Sequence, residues 1–283
     1  MFERFARSWA LIKASAAVLQ KDKELLLFPV VSSIAALIVA ASFLGPLVWW
    51  SMGHPEAFDD KSLSPMWYAW MFAFYLVQYF VMFFFNTALI GAASMRLEGR
   101  DPTVADGLRI AWSKVGKILV YAAIAATVGM ILRAIEQRAG WIGKWIVGLL
   151  GAAWTVVTFM VVPILVHRDI GAIDAIKESA VLLKQTWGEN LIGQGGVGLI
   201  FLLGHFAVWL PCGFLAFSAF TAQSAGLGVS LLVIAFICSL LLALIQTALQ
   251  GVYSAALYRY AVGHENAPEF ASDLMERAFA TKR

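Results

Sequence analysis

The sequence predicts an all-α, polytopic membrane protein: six transmembrane helices, laid out as three repeats of an amphipathic interfacial helix followed by a two-span hairpin. Three observations lead there. Hydrophobic residues make up 61% of the 283-residue chain and charged residues only 14%, against roughly 45–50% and about 25% in soluble domains. Six apolar runs are each long enough to cross a bilayer. The polar segments between them carry their cations almost entirely on one side.

A helix crosses the hydrocarbon core, about 30 Å thick, with about 20 apolar residues. Runs of this kind fall at 25–50, 66–94, 115–133, 141–166, 191–219 and 226–260. The third is the shortest, and Lys117 at its start has to extend its ammonium toward the headgroups. Pro46 and Pro163 lie near span ends and Pro211 late in the fifth run, where neighbouring groups can satisfy the freed carbonyls. The runs lack the period-two alternation of strands. The first begins near Leu25 and is too long for a signal-peptide core of about 7–15 residues, so it is expected to stay as a span.

Charge sets the orientation. Of the 21 lysines and arginines, only Lys61, Arg133, Arg138 and Lys144 fall outside the segments 1–24, 95–117 and 167–190 and the C-terminal stretch. Cytoplasmic loops hold the excess of Lys and Arg. Both termini are therefore expected on the cytoplasmic side of a bacterial inner membrane, in a single membrane domain over 1–283.

The cytoplasmic segments carry apolar stripes at helical spacing. In the first these are Phe5, Trp9, Ile12, Ala16 and Leu19; in the second Val104, Leu108, Ala111 and Val115; in the third Ile173, Ile176, Ala180, Leu183 and Trp187. Asp101 before Pro102 reads as an N-cap with proline at the first helical position, and Asp169 as a cap for the third helix. A short polar step follows each helix: Lys21 to Glu24, Lys114 to Lys117, Trp187 to Asn190. The repeat units then run over about 1–94, 101–166 and 170–262, and an amphipathic tail with Phe270, Leu274 and Ala278 in line covers 267–283.

Such helices can lie in the interface, apolar face down, with cations toward anionic headgroups. The residues placed there are Arg4, Arg7, Trp9, Lys13, Lys21, Lys23, Arg109, Lys114, Lys117, Lys177, Lys184 and Trp187. The alternative is that the helices pack on the protein itself as a cytoplasmic lid.

The stretch Val162-Pro163-Ile164-Leu165-Val166-His167-Arg168-Asp169, continuing through Ala175-Ile176-Lys177-Glu178-Ser179 to Thr186-Trp187-Gly188-Glu189-Asn190, resembles an uncharacterised prokaryotic family of six-span membrane proteins. So do Arg7-Ser8-Trp9, Lys21-Asp22-Lys23-Glu24-Leu25 and Ala255-Ala256-Leu257-Tyr258-Arg259-Tyr260. The chain is also distantly similar to the membrane domain of bacterial glycerophosphodiester phosphodiesterases. The soluble barrel of those enzymes is absent, and its activity does not carry over.

No chemistry-bearing constellation stands out. There is no H-E-x-x-H, no P-loop Lys-Ser/Thr after the glycines of 193–198, and no G-x-S-x-G elbow. Cys212 and Cys238 sit in apolar runs and form no metal motif. No carboxylate lies deep in a span, so proton-relay designs lack their usual part. Catalytic residues, metals and cofactors are expected to be none.

What the spans do hold is a polar seam: Gln78 and Asn86 on the second, His205 on the fifth, Gln246, Gln250 and Ser254 on the sixth. Interhelical hydrogen bonding is the simpler reading; a polar pathway is the functional one. Trp49, Trp50, Trp67, Trp70, Trp141 and Trp145 fit an interfacial aromatic belt. The function expected from sequence is a non-enzymatic scaffold or envelope-assembly component that engages anionic lipid headgroups or a membrane protein partner, and not nucleic acid. The rival is a transporter or lipid translocator using the seam, with an intramembrane enzyme a more distant third.

Overall fold

The structure is a computed structural model that describes residues 2–53, 65–185, 187–263 and 270. The described residues form helices and short connections, without strands. Six stretches are long and apolar enough to cross a membrane: Lys23–Trp50, Met66–Leu97, Val115–Arg138, Trp141–His167, Gly198–Thr221 and Ala225–Ala261. Each overlaps one of the six runs, so apolar length alone locates the spans.

In chain order, α1 (Phe2–Lys21) leads through a single 3-10 turn (Lys23–Leu26) into α2 (Leu27–Gly53). Then come α3 (Pro65–Leu97), the short α4 (Val104–Ser113), α5 (Val115–Arg138), α6 (Trp141–Val157), the short α7 (Val161–His167), α8 (Ala172–Gln185), α9 (Trp187–Thr221) and α10 (Ala225–Ala261). Helix ends follow local chemistry. After α3, Gly99 takes φ +80; its N–H donates to the Arg96 carbonyl at 2.9 Å and that of Arg100 to Met95 at 3.0 Å. This is the Schellman stop that a residue without Cβ permits. At the α9–α10 turn Gly228 faces the Phe220 ring, which a Cβ would approach to 2.8 Å.

Several expectations change. The third run continues past Arg133 to Arg138, because Ala134, Ile135, Glu136 and Gln137 are good helix residues and nothing before Gly140 breaks the helix. The polar step at Trp187–Asn190 lies inside α9. Asp101 and Pro102 do not start α4. Thr103 does, through a capping box: its Oγ1 accepts from the Asp106 N–H at 3.3 Å, and Asp106 Oδ2 accepts from the Thr103 N–H at 3.1 Å. Two orphan donors are satisfied together, more than a lone aspartate cap achieves. Asp101 instead accepts from Arg96 at 2.7 Å. Nor does Asp169 cap α8; two lysines hold it, as described below.

The chain forms two compact units. One consists of Met1–Leu26, Ala93–Asp101 and Thr186–Arg283, the other of Leu27–Ala92 and Pro102–Gln185. In the first, α1 packs on α9 and α10 and buries Leu11, Ile12, Ala14, Ser15, Val18 and Leu19. In the second, α8 packs on α5, α6 and α7, while α4 lies on α2 and α3. There a Cβ on Gly107 would come within 2.5 Å of Phe28 and 2.7 Å of the Ala88 carbonyl, and Trp112 meets Phe84 edge-on at 5.3 Å.

Candidate functional site: a bridged break in the fourth span and its charged rim

The fourth span is discontinuous. Pro163 has no N–H for the Phe159 carbonyl and its ring crowds that oxygen, the ordinary cause of a helix break one turn upstream. The helix stops at Val157, turns through Thr158–Met160 and restarts at Val161. Such a break leaves orphan backbone groups, here among fully buried residues. Ser179 of α8 satisfies two of them: its Oγ donates to the Val157 carbonyl at 2.5 Å and accepts from the Met160 N–H at 3.1 Å. Ser179, Met160, Val161, Ile164 and Leu165 are all fully buried. Thr158 Oγ1 turns back to the Trp154 carbonyl at 2.8 Å. One hydroxyl therefore ties α8 to both halves of a span.

The buried face of α8 shares only Leu183 with the expected stripe. Ala172, Ala175, Ser179 and Leu183 point inward, while Ile173 is 58% and Val181 55% exposed. Small residues at three of these four positions let α8 approach α7 closely. The same holds on α4, where Gly107 and Ala111 are buried and Trp112 is 65% exposed. In α1 the expected Ile12 and Leu19 are buried but Trp9 is 45% exposed.

Above the break lies a charged rim. Lys114 donates to the Arg168 carbonyl at 3.3 Å and stands 3.7 Å from Asp169, which also pairs with Lys117. The Lys117 hydrogen bond and charge, then the Lys114 charge, hold the Asp169 carboxyl below its ordinary range. Arg168 bonds Glu178 at 2.5 Å. The start of α5 is thus stitched to the α7–α8 turn, a use of these lysines that spacing alone does not reveal.

The other unit has a rim of its own. Arg96 donates to Asp101 at 2.7 Å and to the Lys21 carbonyl at 3.4 Å, and Arg259 bonds Glu98 at 2.8 Å. Asp22 is buried beside it, and its Oδ2 has no hydrogen-bond partner. Burial raises the Asp22 pKa, opposed by the Arg96 charge and supported by Glu24 and Asp101.

The seam residues divide between the units: Gln78 and Asn86 in one, His205, Gln246, Gln250 and Ser254 in the other. Their described bonds stay on their own helices. His205 Nδ1 lies 2.8 Å from the Phe201 carbonyl, and Ser254 donates to the Gly251 carbonyl at 2.9 Å. Gln78 Oε1 is buried without a partner. Among the cations, Lys13 is exposed with its Nζ 5.7 Å from the Trp9 ring centre. Arg109 and Lys177 are exposed and touch Asp106 and Asp174 at 3.5 and 3.3 Å. Lys21, Lys23 and Lys184 are exposed as well. The side chains of Arg4, Arg7 and Trp187, and the tail apart from buried Phe270, lie outside the described residues.

A family model, described as a family of unknown function (DUF6159), matches residues 66–267. That is well over half of the chain. The protein belongs to this family. The DUF6159 match takes in α4, the broken span, α8 and the α9–α10 hairpin, so the Ser179 bridge lies within the matched stretch. No curated protein matches the chain, and the distant similarity to phosphodiesterase membrane domains finds no support.

Proposed function

We propose that this DUF6159 protein is a non-enzymatic scaffold of the bacterial inner membrane, with both termini cytoplasmic. In this reading three copies of one device hold it to the cytoplasmic leaflet. Each copy is a helix that buries one face against a span pair and turns a cation and at least one large apolar side chain (Trp9, Trp112, Ile173) outward.

A shared segment supports the three copies: Leu11-Ile12-Lys13-Ala14-Ser15, Gly107-Leu108-Arg109-Ile110-Ala111 and Ala175-Ile176-Lys177-Glu178-Ser179. In each, the first and fifth residues are buried and the third is an exposed cation. Each helix packs on a hairpin other than the one it leads into: α4 on α2–α3, α8 on α5–α7, α1 on α9–α10.

The observation that carries the lipid reading is the outward face. Trp112, Ile173 and Val181 are more than half exposed, and leaving such a side chain in water forgoes roughly 1.5–3 kcal/mol of burial. Lipid at the interface covers them, and the neighbouring cations meet anionic headgroups at about 1 kcal/mol each. Nitroxide labels at positions 112, 173 and 181 in nanodiscs should be relaxed by oxygen, which partitions into lipid, more than by an aqueous nickel chelate. Preferential relaxation by the chelate at all three would sink the reading.

The discontinuous fourth span favours a second reading, transport or lipid translocation, since broken helices form midplane substrate sites in many secondary transporters. Substrate uptake that is lost when Gln246 or Gln250 becomes leucine, with stability unchanged, would establish it.

A further inference from the structure

At the end of α5 away from the Lys114–Asp169 rim, an open groove of about 570 Å³ is lined by Tyr68, Ile131, Ala134, Ile135, Arg138 and Ala139. We propose that it seats an acyl chain of an anionic phospholipid, whose phosphate is held by Arg138. This is a site at the opposite end of the span from the scaffold's lipid contacts, and it stands independently of that reading.

The volume lies in the range of small-ligand sites, roughly 300–1,000 Å³. The chemistry is amphipathic. Ile131, Ala134, Ile135 and Arg138 share one face of α5 by their spacing, so three apolar side chains lead to one guanidinium at the mouth. Arg138 has no ion pair or hydrogen bond among the described residues, whereas Arg133 one turn deeper is satisfied by the Tyr75 hydroxyl at 2.8 Å. Glu136, the carboxylate nearest in sequence, lies off that face by the same spacing and forms no ion pair with either arginine. Tyr68 puts an aromatic ring beside the groove, suited to headgroup depth. The α6 N-terminus that follows carries no side-chain cap on Gly140 and no acid in its first turn, which adds to the positive potential.

Charge bias sharpens the point. Arg138, which lines this groove, is one of the four cations that fall against the expected cytoplasmic excess. A placement that works against insertion topology is accounted for by a phosphate ligand there.

The test uses the full chain in nanodiscs with photoactivatable phosphatidylglycerol or a phosphatidylcholine of the same chains, and maps the labelled peptides. Labelling of 131–139 by phosphatidylglycerol should exceed that by phosphatidylcholine several-fold, fall several-fold in Arg138→Gln and return in Arg138→Lys. Labelling of 104–113 and 172–185 reports on the scaffold reading separately and should not follow Arg138. Arg138 is exposed, and unchanged thermal stability of Arg138→Gln excludes misfolding. Equal labelling by the two lipids, or labelling that survives Arg138→Gln, overturns the proposal. So does displacement by inorganic phosphate alone, which makes the site a free-anion site. A disulfide between copies through Ile135→Cys also overturns it, since a second copy then covers the groove.

Discussion

α8 and α1 carry nearly the same segment, Ile176-Lys177-Glu178-Ser179 in one and Ile12-Lys13-Ala14-Ser15 in the other, and bury its serine to the same degree. What each serine meets is different. Ser179 faces a span that Pro163 has broken, and its hydroxyl supplies the acceptor and donor that the break lacks. Ser15 faces α9 and α10, which run unbroken for 35 and 37 residues, and no such bridge exists among the described residues. The role of the serine is decided by the receiving helix, not by the segment that carries it. In one unit the contact is a polar lock; in the other it is apolar packing of Leu11, Ile12, Val18 and Leu19 beside the small Ala14 and Ser15.

The largest effect should separate these two. Ser179→Ala removes only the hydroxyl and leaves the Val157 carbonyl and the Met160 N–H buried without partners, at about 1–3 kcal/mol for each orphan group. Detergent denaturation should show a loss of roughly 2–5 kcal/mol. Ser15→Ala breaks no such bridge and should lose clearly less, within about 1 kcal/mol. Equal losses would erase the distinction between lock and packing.

Much of this was legible in the sequence, and the failures have physical causes. The spans follow from apolar length, which six runs display directly. Pro163 was visible, but near a span end a proline reads as tolerated; only its i−4 carbonyl and the serine 16 positions later make a break worth stabilising. The stripe on α8 was misplaced because periodicity weighs large apolar residues as core. Against its neighbouring helices α8 sets the small residues Ala172, Ala175 and Ser179 with Leu183, and Ile173 and Val181 turn out. Asp101 and Asp169 were read as caps from local spacing, whereas Arg96 and the two lysines compete for them from elsewhere in the chain.

A middle-sized effect probes the third short helix, α4, which docks by glycine where α8 docks by alanine and serine. Gly107→Ala would drive a Cβ to 2.7 Å from the Ala88 carbonyl, which is backbone and cannot swing aside. A destabilisation of about 1–3 kcal/mol is expected, typical of overpacking. Ala175→Gly at the equivalent position should cost only about 1 kcal/mol, the helix-propensity difference. A neutral Gly107→Ala would mean that α4 rides more loosely on α2 and α3 than its contacts indicate. That outcome would also weaken the three-copy reading.

The smallest effect contrasts the two rims by pH. Lys117 and Lys114 hold the Asp169 carboxyl below the ordinary carboxylate range. Its contribution is present above the ordinary carboxylate range and lost as pH falls through the lowered folded value. Asp22 is raised above 3.8, chiefly by burial. Its ionisation therefore costs stability at every pH above the raised folded value. The cost fades as pH falls toward 3.8 and is gone below it. Asp22→Asn should then raise the melting temperature at pH 7 and leave it unchanged near pH 3. Asp169→Asn should lower it slightly at pH 7, the shift being small because an exposed pair is screened, and should likewise have no effect at low pH. The asparagine at position 22 also removes a buried charge whose Oδ2 is unpartnered, while Arg96 keeps Asp101 as an acceptor. A loss of stability in Asp22→Asn at pH 7 would show that the Arg96 attraction outweighs desolvation. Asp22 would then be an ion-pair member like Asp169, and the two rims would work alike.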